Sequence, residues 1–300
     1  MRAPPRKNKG APLMAELFDD SGYDLVTPVA AYLMAFLGSA LGLRCTTRAM
    51  LVTHSWRPGW LALGAGAIGS GIWTMHFIAM LGFHVPGGEI RYDLPLTFLS
   101  LGVAVVVVGI GVFVVGYRGA SPLTLGVSGL VTGLGVAAMH YLGMAAMRVS
   151  GSAIHYDPLT VAASVVIAVV AATAALWAAV QVRGMLWSLA ASLIMGVAVT
   201  GMHYTGMAAL TVHRHAGGPT GFDGVSSVRL VVPMLVGPMV FLLLAAVIVM
   251  FDPLMVMGTP DEARATAPTP RRPASPAATP VPDPHRPLRD WPTERPPGRG

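Results

Sequence analysis

The sequence has little charge and almost no cysteine. Only 11% of its 300 residues are charged, whereas about a quarter are charged in soluble domains. Long stretches contain no charged residue at all. The single cysteine, Cys45, excludes an intramolecular disulfide and a four-cysteine metal site. No cleavable signal peptide is evident. The scarcity and segregation of charge argue against an ordinary soluble domain.

Two function classes have no support in the sequence. The formal net charge is +6, but many of the basic residues lie in two terminal stretches, 2–9 and 264–299. No nucleic-acid-binding motif accompanies them, so we expect no nucleic-acid partner. No Ser-His-acid set, pair of carboxylates or phosphate-binding loop can be assembled from the remaining segments. We therefore expect that the protein is not an enzyme.

Seven apolar segments are each about long enough to cross a hydrocarbon core of about 30 Å at 1.5 Å per residue. They cover approximately residues 27–43, 60–83, 94–117, 122–147, 159–181, 185–210 and 228–251. Because a backbone in lipid must satisfy its own hydrogen bonds, these segments are predicted to be helices. We predict an all-α membrane protein with seven transmembrane helices in a lipid bilayer.

The basic residues favour one orientation. Loops after the first, third and fifth segments contain basic residues and no acid: Arg44, Arg48, Arg57, Arg118 and Arg183. The opposite loops mix the two signs. The positive-inside rule then places the carboxyl terminus in the cytoplasm and residues 1–22 outside it. Residues 256–300, rich in Pro, Ala, Arg and Thr, are predicted to be a disordered, proline-rich cytoplasmic tail.

An internal repeat divides the chain. The sequence Met-His-Phe-Ile-Ala-Met at 75–80 recurs as Met-His-Tyr-Leu-Gly-Met at 139–144 and as Met-His-Tyr-Thr-Gly-Met at 202–207. The histidines are 64 and 63 residues apart, which is the length of two spans and their loops. The pattern predicts three two-helix repeats and a final helix, at about 27–83, 94–147, 159–210 and 228–251.

An aromatic-Asp pair precedes each odd-numbered helix, and glycines concentrate in the even-numbered ones. The pairs are Tyr23-Asp24, Tyr92-Asp93, Tyr156-Asp157 and Phe222-Asp223. An Asp before a helix with Pro in its first turn is typical of an N-cap; a ligand-facing role for these aspartates is the alternative. Because small residues allow helices to pack closely in lipid, we expect the even helices to form an inner bundle.

The repeated motifs place soft metal ligands at one depth. Each histidine lies seven residues before the predicted end of its helix, about 10 Å below the outer boundary. The histidine and the methionine four residues later share a helix face. If the even helices face one another, three imidazoles and up to six thioethers converge. The candidate ligands are His76, His140, His203, Met75, Met80, Met139, Met144, Met202 and Met207.

This ligand set favours copper. Imidazole binds several transition metals, whereas thioether selects copper, above all Cu(I). No carboxylate or thiolate lies within the motifs, and neutral ligands in an apolar setting favour a monovalent ion. Simple packing is the alternative, because Met fills irregular cores. Four further histidines are predicted in outer loops, where they could pass a metal inward: His84, His155, His213 and His215.

At these motifs the sequence resembles the MHYT domain, a membrane sensor module of bacteria, over about residues 23–255. The resemblance implies a signalling sensor in the bacterial cytoplasmic membrane, with copper at the motif Met and His residues. It also implies a diatomic gas such as oxygen, carbon monoxide or nitric oxide as signal, with Tyr141 and Tyr204 as possible ligand contacts. The first copy departs from the motif at Phe77, and only the third copy is complete, ending at Thr205.

Members of that family often carry a cytoplasmic domain that makes or degrades cyclic di-GMP. We find no such domain in these 300 residues, so the resemblance implies a separate, unknown cytoplasmic output protein. Two alternatives remain open from the sequence. One is a copper transporter or channel, and the other is a membrane scaffold that binds no ligand.

Overall fold

A computed structural model describes residues 25–52, 54–83, 90–149, 152–182, 184–214 and 225–252. These residues form seven α-helices: α1 (Val26–Leu51), α2 (Arg57–Leu81), α3 (Leu94–Arg118), α4 (Pro122–Ala146), α5 (Pro158–Gln181), α6 (Met185–Ala208) and α7 (Ser227–Met250). Helices α1 to α6 are each long and apolar enough to cross a membrane, and α7 contains a shorter apolar stretch, Met234–Met250. The prediction of an all-α membrane protein with seven helices is confirmed.

Helix α1 continues beyond its predicted end at residue 43. The last turns carry Arg48, whose Nε lies 2.5 Å from Oδ2 of Asp252, just after α7. The guanidinium also lies over the ring of Trp60, 5.6 Å from its centroid. Because its charge is neutralised, Arg48 can remain part of the helix rather than end it. Cys45, the single cysteine, is fully buried within α1.

The first six helices form a closed ring. Each helix packs on the next in sequence, and α6 packs on α1, so every two-helix repeat occupies one third of the ring. Helix α7 packs mainly on α1 and α2. The predicted inner bundle of even helices is therefore only partly correct. Most of α2 is buried, but α4 and α6 each expose one side, for example at Leu130 and Val197.

Glycine sets the distance between one repeat and the next. A methyl group on Gly133 would lie only 2.4 Å from the Cα atom of Val169, so α4 and α5 touch backbone to backbone. The same position of each even helix contacts the odd helix of the following repeat. The three contacts are Gly69 with Val105, Gly133 with Val169, and Gly196 with Phe36. The ring thus has an approximate threefold symmetry that follows the sequence repeat.

Five short strands cover one end of the ring. They are β1 (Ile90–Tyr92), β2 (Met147–Val149), β3 (Ser152–Tyr156), β4 (Leu210–Arg214) and β5 (Val225–Ser226). They form an antiparallel sheet in the order β2-β1-β5 and an antiparallel pair β3-β4. We call this end the sheet end, and the opposite end, with Arg48, Arg57 and Arg118, the arginine end.

Two of the aromatic-Asp pairs begin helices. Asp93 accepts a hydrogen bond from the backbone N–H of Leu96 at 3.1 Å. Asp157 accepts one from the N–H of Thr160 at 2.9 Å. The Thr160 hydroxyl, followed by its N–H, also lowers the pKa of Asp157 through hydrogen bonds. The N-cap interpretation is confirmed at both positions. The pairs at 23–24 and 222–223 lie outside the described residues.

Candidate metal centre

Three histidines meet on the axis of the ring near the sheet end. His76, His140 and His203 lie within the last two turns of α2, α4 and α6, and each is at most 1% exposed. The symmetry of the ring brings them to one level, because they occupy the same position in the three repeats. Their ring nitrogens are the only group of three or more His, Cys, Asp or Glu side chains in the described part of the chain that could hold a metal ion.

The Nδ1 atoms form a small triangle. Nδ1 of His76 lies 3.0 Å from that of His203 and 3.1 Å from that of His140, and the remaining pair is 3.3 Å apart. A point equidistant from the three atoms lies about 1.8 Å from each, near the ~2.0 Å typical of bonds between imidazole nitrogen and zinc. The triangle therefore has the dimensions of a three-nitrogen metal site.

Hydrogen bonding alone does not account for this triangle. A neutral imidazole carries one proton, on either Nδ1 or Nε2. With three Nδ1 atoms in mutual contact, at least one pair always consists of two acceptors or two donors. Such a contact is unfavourable where water is excluded. A cation at the centre would instead accept all three lone pairs. The three buried histidines could hold a metal ion, and the geometry fits one.

The outer edges of the imidazoles rest on small residues. A methyl group on Gly143 would lie 2.3 Å from Nε2 of His76, and one on Gly206 would lie 2.3 Å from Nε2 of His140. In each case the glycine lies three residues after the motif histidine of the next repeat. None of the three Nε2 atoms has a hydrogen-bond partner among the residues that the structure describes. Gly143 and Gly206 thus provide the space in which two of the imidazoles are seated.

The predicted thioether ligands surround the histidines at two levels. All six are at least 93% buried: Met75, Met80, Met139, Met144, Met202 and Met207. Met80, Met144 and Met207 lie one helical turn beyond the histidines, about 5.4 Å toward the sheet end. Met202 precedes its histidine and lines the cavity described next. The role of the six thioethers as ligands stays a prediction.

A cavity lies on the other side of the triangle. Its volume is about 50 Å³, and Ile72, Val136 and Val199 contribute to its wall from one turn before each histidine. The rest of the lining of this axial cavity is Ser39, Ile68, Val108, Val112, Thr132, Ala168, Ala171, Ala172, Ala175, Leu176, Ala179, Met195 and Met202. The imidazoles thus separate a methionine-rich layer from a small apolar space.

The third residue of each motif packs against its own histidine. The ring of Phe77, Tyr141 or Tyr204 meets the preceding imidazole edge-on, with centroids 4.8–5.1 Å apart. The hydroxyl of Tyr141 lies 2.6 Å from Oγ of Ser164 on α5. It therefore links α4 to α5, and its ring edge is the part of Tyr141 that contacts the centre.

The first repeat uses the equivalent serine differently. Ser100 occupies the position of Ser164, and its hydroxyl lies 2.9 Å from Nε1 of Trp73. Because Phe77 has no hydroxyl, Trp73 supplies the link between α2 and α3 instead. Tyr92, from the aromatic-Asp pair before α3, also packs on the ring of Phe77. Its burial raises the pKa of its hydroxyl.

Replacing Tyr141 with Phe should leave metal content unchanged and lower stability modestly. The substitution removes one hydrogen bond, worth about 1 kcal/mol, and the first repeat already has Phe at this position. Metal analysis and thermal unfolding in detergent test this expectation. Loss of metal in the folded Phe variant would instead assign the hydroxyl to the centre.

Two of the four histidines predicted in outer loops lie on short strands. His155 lies on β3 and His213 on the neighbouring β4, where the backbone of His213 pairs with that of Ala153. His54 is exposed between α1 and α2. His84, His215 and His285 lie outside the described residues. The suggestion that loop histidines pass a metal inward stays a prediction.

The repeat of this chain is also found in other proteins. A family model described as MHYT, the bacterial signalling protein N-terminal repeat, matches residues 69–128 and 133–192. The two matches begin 64 residues apart, which is also the separation of the first two motif histidines. Each match starts within an even helix, includes the Met-His motif and continues into the following odd helix.

The curated relatives are longer signalling proteins. The bifunctional diguanylate cyclase/cyclic di-GMP phosphodiesterase MucR of Pseudomonas aeruginosa is 37% identical over 63% of this chain and 28% of its own. The cyclic di-GMP phosphodiesterase NbdA of the same organism is 44% identical over 53% of this chain and 21% of its own. The signaling protein YkoW of Bacillus subtilis is 28% identical over 66% and 25%. The chain thus spans about a quarter of the length of these relatives. No solved structure matches it.

Proposed function

Since the chain is a member of the MHYT family of bacterial signalling proteins, we propose that it is a membrane sensor whose three motif histidines hold copper. The observation that carries this proposal is the triangle of Nδ1 atoms, 3.0–3.3 Å apart and buried on the axis of the ring. A metal ion explains that arrangement better than hydrogen bonding does.

The surroundings of the triangle favour copper over other metals. The ligands are neutral, and no Asp, Glu or Cys completes a group with them among the described residues. A low ionic charge is therefore less costly there than a high one. Methionine on the sheet side adds soft donors, which select Cu(I).

The sensed ligand is proposed to be a neutral diatomic gas. When bound, copper would supply a coordination position that oxygen, carbon monoxide or nitric oxide can occupy. The apolar residues Ile72, Val136 and Val199 form the wall beside the triangle, on the side away from Met80 and Met144. They exclude water and charged molecules from that side, so they would favour small uncharged ligands.

We propose the orientation that the sequence predicts, with the sheet end outside a bacterial cytoplasmic membrane. The arginine end carries Arg48, Arg57 and Arg118, and the exposed tryptophans Trp56 and Trp187 also lie there. Basic residues on one side and tryptophan at the interface are typical of the cytoplasmic boundary. An output protein would then be reached from that end, where Asp252 follows α7.

Transport and scaffolding are less well supported. A copper pathway requires a series of ligands between the histidines and the arginine end, yet Met195 and Met202 are the only soft donors in the lining of the axial cavity. A scaffold requires packing alone to hold the histidines, which leaves the contact between their Nδ1 atoms unexplained. Copper uptake into proteoliposomes would favour transport over sensing.

The decisive experiment measures copper in purified protein. We expect about one copper per wild-type chain after loading under reducing conditions. His76→Ala/His140→Ala/His203→Ala should retain none, because it removes all three nitrogen ligands. His54→Ala is the matched control, since His54 is exposed and remote from the triangle, and it should bind as the wild type does. Folded wild-type protein without copper would overturn the proposal.

A further inference from the structure

The axial cavity is closed on most sides by buried residues. Thirteen of its lining residues are buried, and the remaining three are partly exposed: Ala171, Ala175 and Val199. Ala171 and Ala175 lie on α5, and Val199 lies on α6. The cavity therefore approaches the lipid-facing surface at a single seam, between the two helices of the third repeat.

The repeat explains why this seam differs from the other two. In the first repeat, Gly38 meets Gly71, and a methyl group on Gly71 would lie 2.8 Å from the Cα atom of Gly38. In the second repeat, Gly135 receives the side chain of Val107, whose Cβ would be 2.5 Å from a methyl group there. Both seams are filled because an even helix provides a glycine.

The third repeat has alanine where the others have that glycine. Ala198 on α6 is equivalent to Gly71 and Gly135. Ala171 on α5 is equivalent to Gly38 and Val107, and both alanines are partly exposed. A methyl group on each helix prevents the close approach seen at Gly71 and leaves no large side chain to fill the seam. Helices α5 and α6 also share a smaller interface than α1 and α2 or α3 and α4 do.

We propose that small, uncharged apolar molecules enter the axial cavity from the lipid through this seam and bind there. The size of the cavity and its mainly apolar lining suit such a molecule, which we call the guest. The volume of the cavity is about 50 Å³, whereas a single water needs roughly 10–15 Å³.

Water is a poor occupant of the cavity. A buried water needs two to four polar partners, and the lining offers the side chains of only Ser39 and Thr132. The Thr132 hydroxyl is already directed at the carbonyl of Val107, at 3.4 Å. Apolar molecules concentrate in the hydrocarbon core, where the seam opens, so lipid supplies the guest.

The physiological role of this route rests on the proposed function, since Ile72, Val136 and Val199 of the cavity wall lie one helical turn from the motif histidines. Binding of the guest itself needs no metal. The route can therefore be tested on metal-free protein, independently of copper.

Xenon exchange tests the route. The full chain, metal-free and in lipid nanodiscs, is exposed to xenon, and ¹²⁹Xe NMR measures binding and the exchange rate. Wild type should show a bound signal. Ala171→Phe should slow exchange at least tenfold by filling the seam. The control Val166→Phe lies on the same helix, where Val166 is 61% exposed to the surroundings, and should leave the rate unchanged.

A second variant keeps the test decisive. Ala175→Phe, one turn along the same seam, should also slow exchange, and it replaces Ala171→Phe if that variant does not fold. Folded wild type without a bound xenon signal, or Phe variants that exchange as fast as wild type, would overturn the route. Copper analysis of separate samples of the same variants, loaded with copper under reducing conditions, is an independent readout. Xenon binding without copper would support the cavity and count against the sensor, and copper binding without xenon would do the reverse.

Discussion

Gly143→Ala is expected to reduce metal affinity by about 10–100-fold, the range found when groups that orient metal ligands are changed. The new methyl group would lie 2.3 Å from Nε2 and 2.9 Å from Cδ2 of His76. The imidazole cannot move aside without leaving the triangle, because its Nδ1 lies 3.0–3.1 Å from the other two. Metal titration of the purified variant measures the effect.

A matched control separates this clash from a general effect of alanine. Gly126 lies on the same helix, and a methyl group there would meet nothing within 4 Å. Alanine favours a helix interior over glycine by about 1 kcal/mol, so Gly126→Ala should keep full metal binding with equal or higher stability. On α6, Gly206→Ala and Gly201→Ala form an equivalent pair. Normal binding by Gly143→Ala would show that His76 is not seated as the structure indicates.

Arg48→Met is expected to destabilise the protein by about 3–5 kcal/mol, as removal of one partner of a buried ion pair does. The side chains of Arg48 and Asp252 are only 12% and 5% exposed, so the carboxylate would remain buried without this guanidinium. Thermal or denaturant unfolding in detergent measures the loss. Arg48→Met/Asp252→Leu should recover most of the stability, because both charges of this pair are then removed.

A more exposed ion pair provides the contrast. Arg148 and Asp93 lie 3.4 Å apart, with side chains 45% and 26% exposed. Exposed pairs contribute about 0–1 kcal/mol, so Arg148→Met should change stability little. Equal effects of the Arg48 and Arg148 substitutions would contradict the different burial of the two pairs.

The sequence predicts the helices well because the hydropathy of a segment depends only on the residues within it. Six of the seven helices begin and end within three residues of their predicted bounds. The end of α1 was wrong because Arg48 was treated as a loop charge, and its partner Asp252 is more than two hundred residues away. The short strands β1 to β5 escaped prediction because segments of two to five residues carry no clear periodicity.

The candidate site was predictable only in part. The repeat identifies equivalent positions, and equivalence places His76, His140 and His203 at one level without any structure. The particular role of Gly143 and Gly206 was not visible, because glycine in a membrane helix generally indicates close helix packing. Only three-dimensional contacts show that these two glycines face an imidazole rather than a backbone. The axial cavity likewise depends on how side chains of six helices meet.

Because one chain forms the whole ring, its three repeats need not be identical. Three separate subunits would have to be identical, whereas three copies in one chain can diverge, as Phe77 and Ala198 have done. Helix α7 packs mainly on α1 and α2, so it adjoins one repeat out of three. A change in the size of the imidazole triangle would displace α2, α4 and α6 alike, yet only the movement of α2 is passed directly to α7. The asymmetry would convert a radial displacement at the centre into a one-sided push on α7, the helix that precedes Asp252.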